Sequence, residues 1–366
     1  MTPDIKPKAG ILDIAPYVGG ESKAHGAARV VKLSSNEGAL GPSPLAVEAL
    51  QKAALDKHRY PDGSCADLRA ALARKHGIPV EHIVCGAGSD EIISLLCQAY
   101  VGAGDEVLYS EHGFLMYAIN AQAAGAVPVC APEKGLKADM DALLGKVSEK
   151  TKIVFLANPN NPTGSYLTRD EVRRLREGLP KDVLLVLDCA YAEYVDAPDY
   201  SAGHEMVEAF GNVVVTRTFS KLYGMGGLRL GWGHCPPAVA DVLNRVRGPF
   251  NVSSVAQAAG LAALADEAFV QKSIAHNTRW RGWLTEKLSE LGLHVYPSAA
   301  NFILVDFGDV GRAEECRLFL KDRGILVRQV ERYKLPACLR ISIGTGEEMA
   351  LVFEGVKDFI RASHSG

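Results

Sequence analysis

Five short runs in the first two thirds of the chain are apolar on nearly every residue: His82–Cys85, Glu106–Tyr109, Lys152–Ala157, Val183–Asp188 and Asn212–Thr218. A strand with one wet face alternates polar and apolar residues. Continuous runs rich in Val, Ile and Leu require cover on both faces. Between the runs lie helical patterns announced by their caps. Ser43 and Pro44 suit an N-cap and first helical residue, while Ser64–Asp67 and Thr168–Glu171 read as capping boxes. Strands alternating with helices over residues ~50–245 predict an α/β fold, a mostly parallel sheet flanked by helices.

After Pro249 the pattern changes. Long helical stretches (Ser254–Ala265, Glu267–Leu291) precede short strands at Phe302–Asp306, Ile325–Val330 and Leu339–Ile343, then a last helix near Glu347–Arg361. That predicts a smaller α+β domain. The first ~45 residues carry little helical periodicity and are expected to wrap onto it. The expected division is an N-terminal arm and small-domain segment over 1–45, a large ligand-binding domain over 46–248 and a small C-terminal domain over 249–366.

Composition excludes several function classes. Forty Lys and Arg against 43 Asp and Glu give a net charge of −3, so no global basic field recruits nucleic acid or an anionic membrane. No stretch approaches the ~18 consecutive apolar residues of a membrane span. The apolar segment near the start is broken by Asp13 and Pro16, a poor secretory signal, and the expected location is the cytoplasm. The closest two of the eight cysteines, Cys85 and Cys97, lie 12 residues apart, and no HExxH motif occurs, so no metal site is expected. Scattered cysteines in apolar runs behave as small buried hydrophobes.

Open α/β sheets bind ligands beyond the carboxyl ends of their strands. The residues just after each run are therefore the informative ones. After His82–Cys85 comes GAGSDEII, a glycine turn into a helix whose exposed backbone N–H groups suit a phosphate. It lacks the dinucleotide fingerprint, because Glu91 takes the third glycine position, which disfavours an oxidoreductase. After Lys152–Ala157 comes NPNNPTG, a rigid polar turn in which Asn161 can donate over the strand end. The next run ends in Asp188, costly to bury without a cation, with Tyr191 three residues on. After Asn212–Thr218 comes SKLYGMGGLRLGW. Lys221 directly follows a buried strand, so desolvation favours a neutral, nucleophilic amine, and Arg229 stands beyond the glycines.

Each feature alone has a bland reading as a turn, a cap or a solvated charge. Together they place a phosphate-grade turn, an amide, an acid with a phenol, a lysine and an arginine at successive strand ends. An aromatic, phosphorylated, aldehyde-bearing cofactor satisfies all of these groups. That cofactor is pyridoxal 5′-phosphate (PLP).

The motifs NPNNPTG, LDCAY, TFSKLYGMGGLRLG and LRISIG, in that order, resemble fold-type-I PLP-dependent aminotransferases of the aspartate aminotransferase superfamily. The resemblance spans nearly the whole chain. More narrowly, APY at 15–17, RYPDG at 59–63, HGFLMY at 112–117 and LRISIGT at 339–345 are similar to the histidinol-phosphate aminotransferase family. The resemblance implies that Lys221 holds PLP covalently and then shuttles a proton, with Asp188 pairing with the pyridinium nitrogen. Tyr191 and Asn161 would hydrogen-bond the ring hydroxyl oxygen. Gly88, Ser89 and Asp90 would hold the phosphate through backbone N–H groups, joined by Thr218, Ser220 and Arg229. Phe114 would stack on the ring, where many relatives have Tyr. Tyr60 would reach the phosphate of a neighbouring subunit, which implies a homodimer with shared active sites. Arg340 would clamp the glutamate carboxylate, with Arg328, Tyr17 and Asn36 completing a site for a substrate phosphate.

The reaction so implied is transamination between histidinol phosphate and 2-oxoglutarate, running in biosynthesis from imidazole-acetol phosphate and glutamate. Rival readings keep the cofactor: an aromatic (Phe/Tyr) aminotransferase, or a decarboxylase of an amino-acid phosphate. A non-catalytic PLP-binding regulatory module is disfavoured, since the ~40 residues before the core carry no helix-turn-helix pattern.

Overall fold

The computed structural model describes residues 5–364 apart from 25, 27, 28 and 57; residues 1–4 of the N-terminal arm lie outside it. In chain order the strands are β1 (Val31–Lys32), β2 (Ile83–Gly86), β3 (Glu106–Ser110), β4 (Val127–Ala131), the hairpin β5 (Glu133–Lys134) and β6 (Lys137–Ala138), β7 (Thr151–Ala157), β8 (Leu184–Asp188), β9 (Val213–Thr218), β10 (Gly231–His234), β11 (His294–Tyr296), β12 (Phe302–Asp306), β13 (Ile325–Leu326), β14 (Arg328–Gln329) and β15 (Cys338–Ser342). The helices are α1 (Pro44–Ala53), α2 (Ala66–His76), α3 (Ser89–Tyr100), α4 (Met116–Ala124), α5 (Met140–Lys146), α6 (Arg169–Gly178), α7 (His204–Ala209), α8 (Pro237–Val246), α9 (Ser254–Ala265), α10 (Glu267–Glu290), α11 (Val310–Asp322) and α12 (Gly346–His364).

The large sheet has seven strands in the order β2-β10-β9-β8-β7-β3-β4, all parallel except β10. Its strands bury both faces, as the continuous apolar runs require. Ile153, Phe155 and Val214 pack beneath α3, α4 and α8, whereas Val154, Leu156, Val213 and Val215 pack on the opposite side against α5, α6 and α7. The five predicted strands stand within a residue of their expected limits. Two strands carry no such signal. β10 reads GWGH, in which the glycines mask strand character, and β4 contains Pro128, tolerated because β4 is the sheet edge.

Three expectations are corrected. Thr168 and Glu171 form the expected capping box, and Ser43 caps α1, but Ser64 does not cap α2. Asp62 does so instead, accepting from Ala66 N at 2.7 Å and from Ser64 N at 2.8 Å, because Cys65 takes a left-handed conformation (φ 50°) that turns Ser64 away. The expected strand Ile325–Val330 is split: β13 pairs in parallel with β1, then the chain changes partner and β14 pairs antiparallel with β15. Finally, α9 packs on α1 and α2, and Ala256, Ala259 and Ala263 share a core with Leu68 and Trp232. The large-domain core therefore extends past the expected boundary at 249.

The second core lies between the β11-β12-β15-β14 sheet and α10, α11 and α12. No helix among the described residues is long and apolar enough to cross a membrane. All eight cysteines are free thiols, and all but Cys130 are buried.

Candidate active site

The carboxyl ends of the parallel strands open into a cavity of about 580 Å³ between the two sheets. Asp188 closes β8, with Ala157 of β7 on one side and Thr216 of β9 on the other. Its carboxylate is buried and has no cation bonded to it among the described residues. Tyr117 Oη donates to Oδ2 at 2.7 Å and Thr216 Oγ1 to Oδ1 at 3.0 Å. Burial pushes the Asp188 pKa up to about 6, while these two hydroxyls hold it down. Tyr117 itself is fully buried, stacked on Phe155 at 4.7 Å and edge-on to Phe114 at 5.9 Å.

Lys221 emerges after β9 with its Nζ donating to Ser35 O at 3.2 Å. No carboxylate pairs with it among the described residues. Burial lowers its pKa to about 8, and the positive charge of Arg340 adds to the effect. A lysine in this state is a ready nucleophile near neutral pH. Tyr191 is buried beside it and accepts from Asn36 Nδ2 at 3.0 Å; burial holds its phenol in the protonated form, well above its usual range. Asn36 (φ 55°) is pinned by Ser342 Oγ and by Asn301 Nδ2.

The opening of α3 supplies the anion cradle. Gly88 has φ 88°, and a Cβ there would stand 2.3 Å from Arg229 Nη2, so only glycine lets the guanidinium close on this turn. Arg229, itself left-handed at φ 53°, donates to Ser220 Oγ at 3.3 Å and to Asp90 Oδ2 at 3.4 Å. Ser89, Asp90, Thr218, Ser220 and Arg229 thus converge on the first turn of α3, where backbone N–H groups and the helix dipole favour a phosphate.

Opposite this cradle lie the two arginines of the small domain. Arg328 and Arg340 are register partners on β14 and β15, so their side chains leave the sheet on the same face. Like charges directly opposite each other destabilise a sheet unless an anion lies between them. Arg340 bonds Asn161 Oδ1 and, at 2.9 Å, Ser34 O, but its buried Nε has no partner. Arg328 donates to Val18 O at 2.7 Å, and Tyr17 packs edge-on to Phe114 at 6.4 Å over the cavity mouth.

The structure therefore brings together Tyr17, Asn36, Ser89, Asp90, Phe114, Asn161, Asp188, Tyr191, Thr218, Ser220, Lys221, Arg229, Arg328 and Arg340. It does not bring Tyr60 to them. That side chain is 83% exposed and stacks on Phe250 at 4.6 Å, outside the cavity. The sequence reading missed Tyr117 and Thr216. Thr216 was within reach, since it shares a strand face with Thr218, whereas the contact of Tyr117 with Asp188 spans 71 positions.

A separate group of side chains has converging donor atoms. Glu208 Oε1 lies 3.0 Å from both His82 Nδ1 and His234 Nε2. Its proton order argues against a metal ion. Arg217 can only donate, so His204 Nε2 accepts from it and His204 Nδ1–H points at His234 Nδ1. His234 must then hold its proton at Nε2, toward Glu208, and has no lone pair to offer there.

The chain belongs to the aminotransferase class I and II family, which it matches over residues 28–356. Within that family its place is among the histidinol-phosphate aminotransferases. It is 58% identical over 361 residues to the histidinol-phosphate aminotransferase of Paramagnetospirillum magneticum, covering 97% of this chain and 99% of that one. To that of a Ruegeria species it is 54% identical over 355 residues, covering 97% and 98%. The histidinol-phosphate aminotransferase of Sinorhizobium meliloti, solved in complex with pyridoxal 5′-phosphate, superimposes with a TM-score of 0.92 at 31% identity, covering 99% of this chain and all of that one.

Pyridoxal 5′-phosphate is accordingly the cofactor, and the residues present fit it. A phosphate matches the α3 cradle, a pyridinium the uncompensated Asp188 carboxylate, and an aldehyde the unpaired Lys221 amine. Because only the neutral amine attacks an aldehyde, capture of PLP by the cofactor-free protein should accelerate as pH rises through about 8. Removing the nearby positive charge with Arg340→Leu should move that midpoint upward. The rate of appearance of the bound-cofactor absorbance, followed against pH, checks both. A midpoint near the ordinary lysine value of 10.5 would contradict the desolvated-amine reading.

Proposed function

We propose that this chain interconverts histidinol phosphate and 2-oxoglutarate with imidazole-acetol phosphate and glutamate, a biosynthetic reaction of the cytoplasm. The observation that carries this reading is the Arg328–Arg340 register pair. One guanidinium suffices for an α-carboxylate; a phosphate dianion in a dry pocket recruits two. The family place of the chain supports the same substrate.

PLP, when bound, supplies an electron sink for the carbanion at the substrate α-carbon. The residues provide the rest. Asp188, fixed by Tyr117 and Thr216, keeps a positive charge on the ring nitrogen. Tyr191 and Asn161 orient the ring oxygen, Phe114 covers one ring face, and the α3 turn with Thr218, Ser220 and Arg229 anchors the phosphate. Lys221 moves the proton at the substrate carbon. Burial, with the charge of Arg340 beside it, lowers the pKa of the amine to about 8, so it gives up and takes back a proton near neutral pH. Arg328 and Arg340, with Tyr17 at the rim and the buried Asn36, hold the substrate phosphate, and Arg340 also receives the carboxylate of glutamate when the substrates alternate.

Arg328→Leu should lower turnover of histidinol phosphate by roughly tenfold to a hundredfold, consistent with about 1.5–3 kcal/mol for a hydrogen bond to a charged group, and spare any phenylalanine turnover. Arg340→Leu should damage both and abolish use of glutamate. A substrate panel of histidinol phosphate, phenylalanine and tyrosine against 2-oxoglutarate reads these effects. Preference of the wild type for phenylalanine, or equal loss of both substrates in Arg328→Leu, would move the assignment to an aromatic aminotransferase.

The same reading makes the active unit a homodimer in which Tyr60 reaches the partner's phosphate cradle. Its support is the exposed aromatic pair Tyr60 and Phe250, stacked with ring centroids 4.6 Å apart. Lys221→Ala and Tyr60→Ala, each inactive alone, should regain activity when mixed, since one site of the heterodimer then holds both intact groups. Absence of recovery after verified subunit exchange would count against a shared site.

A further inference from the structure

A second cavity of about 600 Å³, as large as the active site and distinct from it, lies at the junction of the two domains. Its large-domain wall comes from the β5–β6 turn, the Thr163–Tyr166 segment and Asp196. Its small-domain wall comes from Arg281 on α10 and the Tyr296–Ala299 segment. This volume falls in the range of small-molecule sites.

Arg281 distinguishes it from a packing gap. Its Nη1 donates to Ala300 O at 2.8 Å, and no carboxylate pairs with it among the described residues. Burial is the one influence on its guanidinium, drawing its pKa below the ordinary arginine value. Arg176, buried elsewhere, closes its fork on three backbone carbonyls, those of Val183, Leu179 and Pro180. Arg281 spends one nitrogen on a carbonyl and leaves the rest of its fork to the cavity it lines. The other cation in the wall, Lys137, is already paired with Glu171 at 2.7 Å.

The remaining lining narrows the ligand. Tyr166 and Tyr296 have their hydroxyls tied to Asp199 and Asp306, each at 3.0 Å, so what they offer is ring surface. Asp196 at the rim, with those two carboxylates behind the tyrosines, makes a dianion unwelcome. A lone inorganic anion would fill only a small part of 600 Å³. We propose that this junction cavity is a binding site for a planar aromatic monocarboxylate, with the Arg281 fork as its anion anchor and the Tyr166 and Tyr296 rings as its walls.

Such a ligand would touch both domains where they are clasped. Ala299 N donates to Gly164 O at 2.8 Å across the junction, and a Cβ on Gly164 would stand 2.4 Å from Ser298 Oγ. Three residues before Gly164, Asn161 contacts Arg340. From Arg281 the chain of bonds runs to Ala300 O, and the next residue, Asn301, holds Asn36 against Tyr191. The cavity thus shares its backbone with the active site without sharing its side chains.

The test is calorimetric titration of the holoenzyme with 4-hydroxybenzoate, in an Arg340→Leu background that removes the carboxylate clamp of the active site. The expected result is saturable binding that Arg281→Gln weakens at least tenfold and Arg281→Lys weakens less, with the holoenzyme spectrum of each Arg281 variant unchanged. A crystal soak should place the carboxylate on Arg281. Binding that disappears with Arg340→Leu and ignores Arg281→Gln would assign the anion to the substrate site and overturn the proposal. So would binding weaker than about 1 mM, or equally tight binding of inorganic phosphate, which would remove the role of the rings. Because the readout is binding at Arg281, it stands apart from the substrate assigned to the active site.

Discussion

Three charged groups converge in the interior, none of them in a salt bridge among the described residues, and the architecture around the cavity follows from holding them there. Asp188 has two hydroxyls, Lys221 a backbone carbonyl, and Arg340 an amide and a carbonyl with one nitrogen left over. Burying a charge without a partner costs several kcal/mol per ion even after relaxation. A chain selected for stability alone would pair them or replace them with apolar residues. Their persistence in one cavity makes sense as a template for a ligand carrying the complementary charges in the complementary order: a pyridinium for the acid, an electrophile for the amine, a phosphate and carboxylates for the guanidinia.

The parallel sheet is what brings these groups together. Strands that run the same way end on the same side, so residues scattered over more than a hundred positions, from Ser89 to Arg229, face one cavity. Because both sheet faces are packed with helices, the strands are rigid along their whole length. Asp188 and Thr216 are consequently fixed to within a hydrogen bond of each other by backbone pairing alone. The small domain adds the second half. Its strand switch at Val327 turns the chain from β1 toward β15 and sets Arg328 opposite Arg340.

Much of this was legible in the sequence because its signals are local. Continuous apolar runs marked five of the seven large-sheet strands, and the residues at the ends of four of those runs marked the cavity floor. The failures had physical reasons. β10 is a strand through pairing on both sides, against the bias of its glycines, and β4 tolerates a proline at an edge that the chain alone does not reveal. Tyr117 sits on a helix and meets Asp188 across 71 positions, a contact no local pattern announces. Asp62 replaced Ser64 as a cap because Cys65 adopts a left-handed backbone, a choice made by the packed loop.

The central claim is that the uncompensated groups at the strand ends form a cradle for pyridoxal 5′-phosphate, with the Lys221 amine as its point of attachment. Borohydride reduction of the holoenzyme followed by proteolysis and mass spectrometry addresses it most directly. The account predicts a phosphopyridoxyl group on the peptide containing Lys221 and on no other. Attachment to another lysine, or a reduced holoenzyme that loses its phosphopyridoxyl group on dialysis, would contradict it.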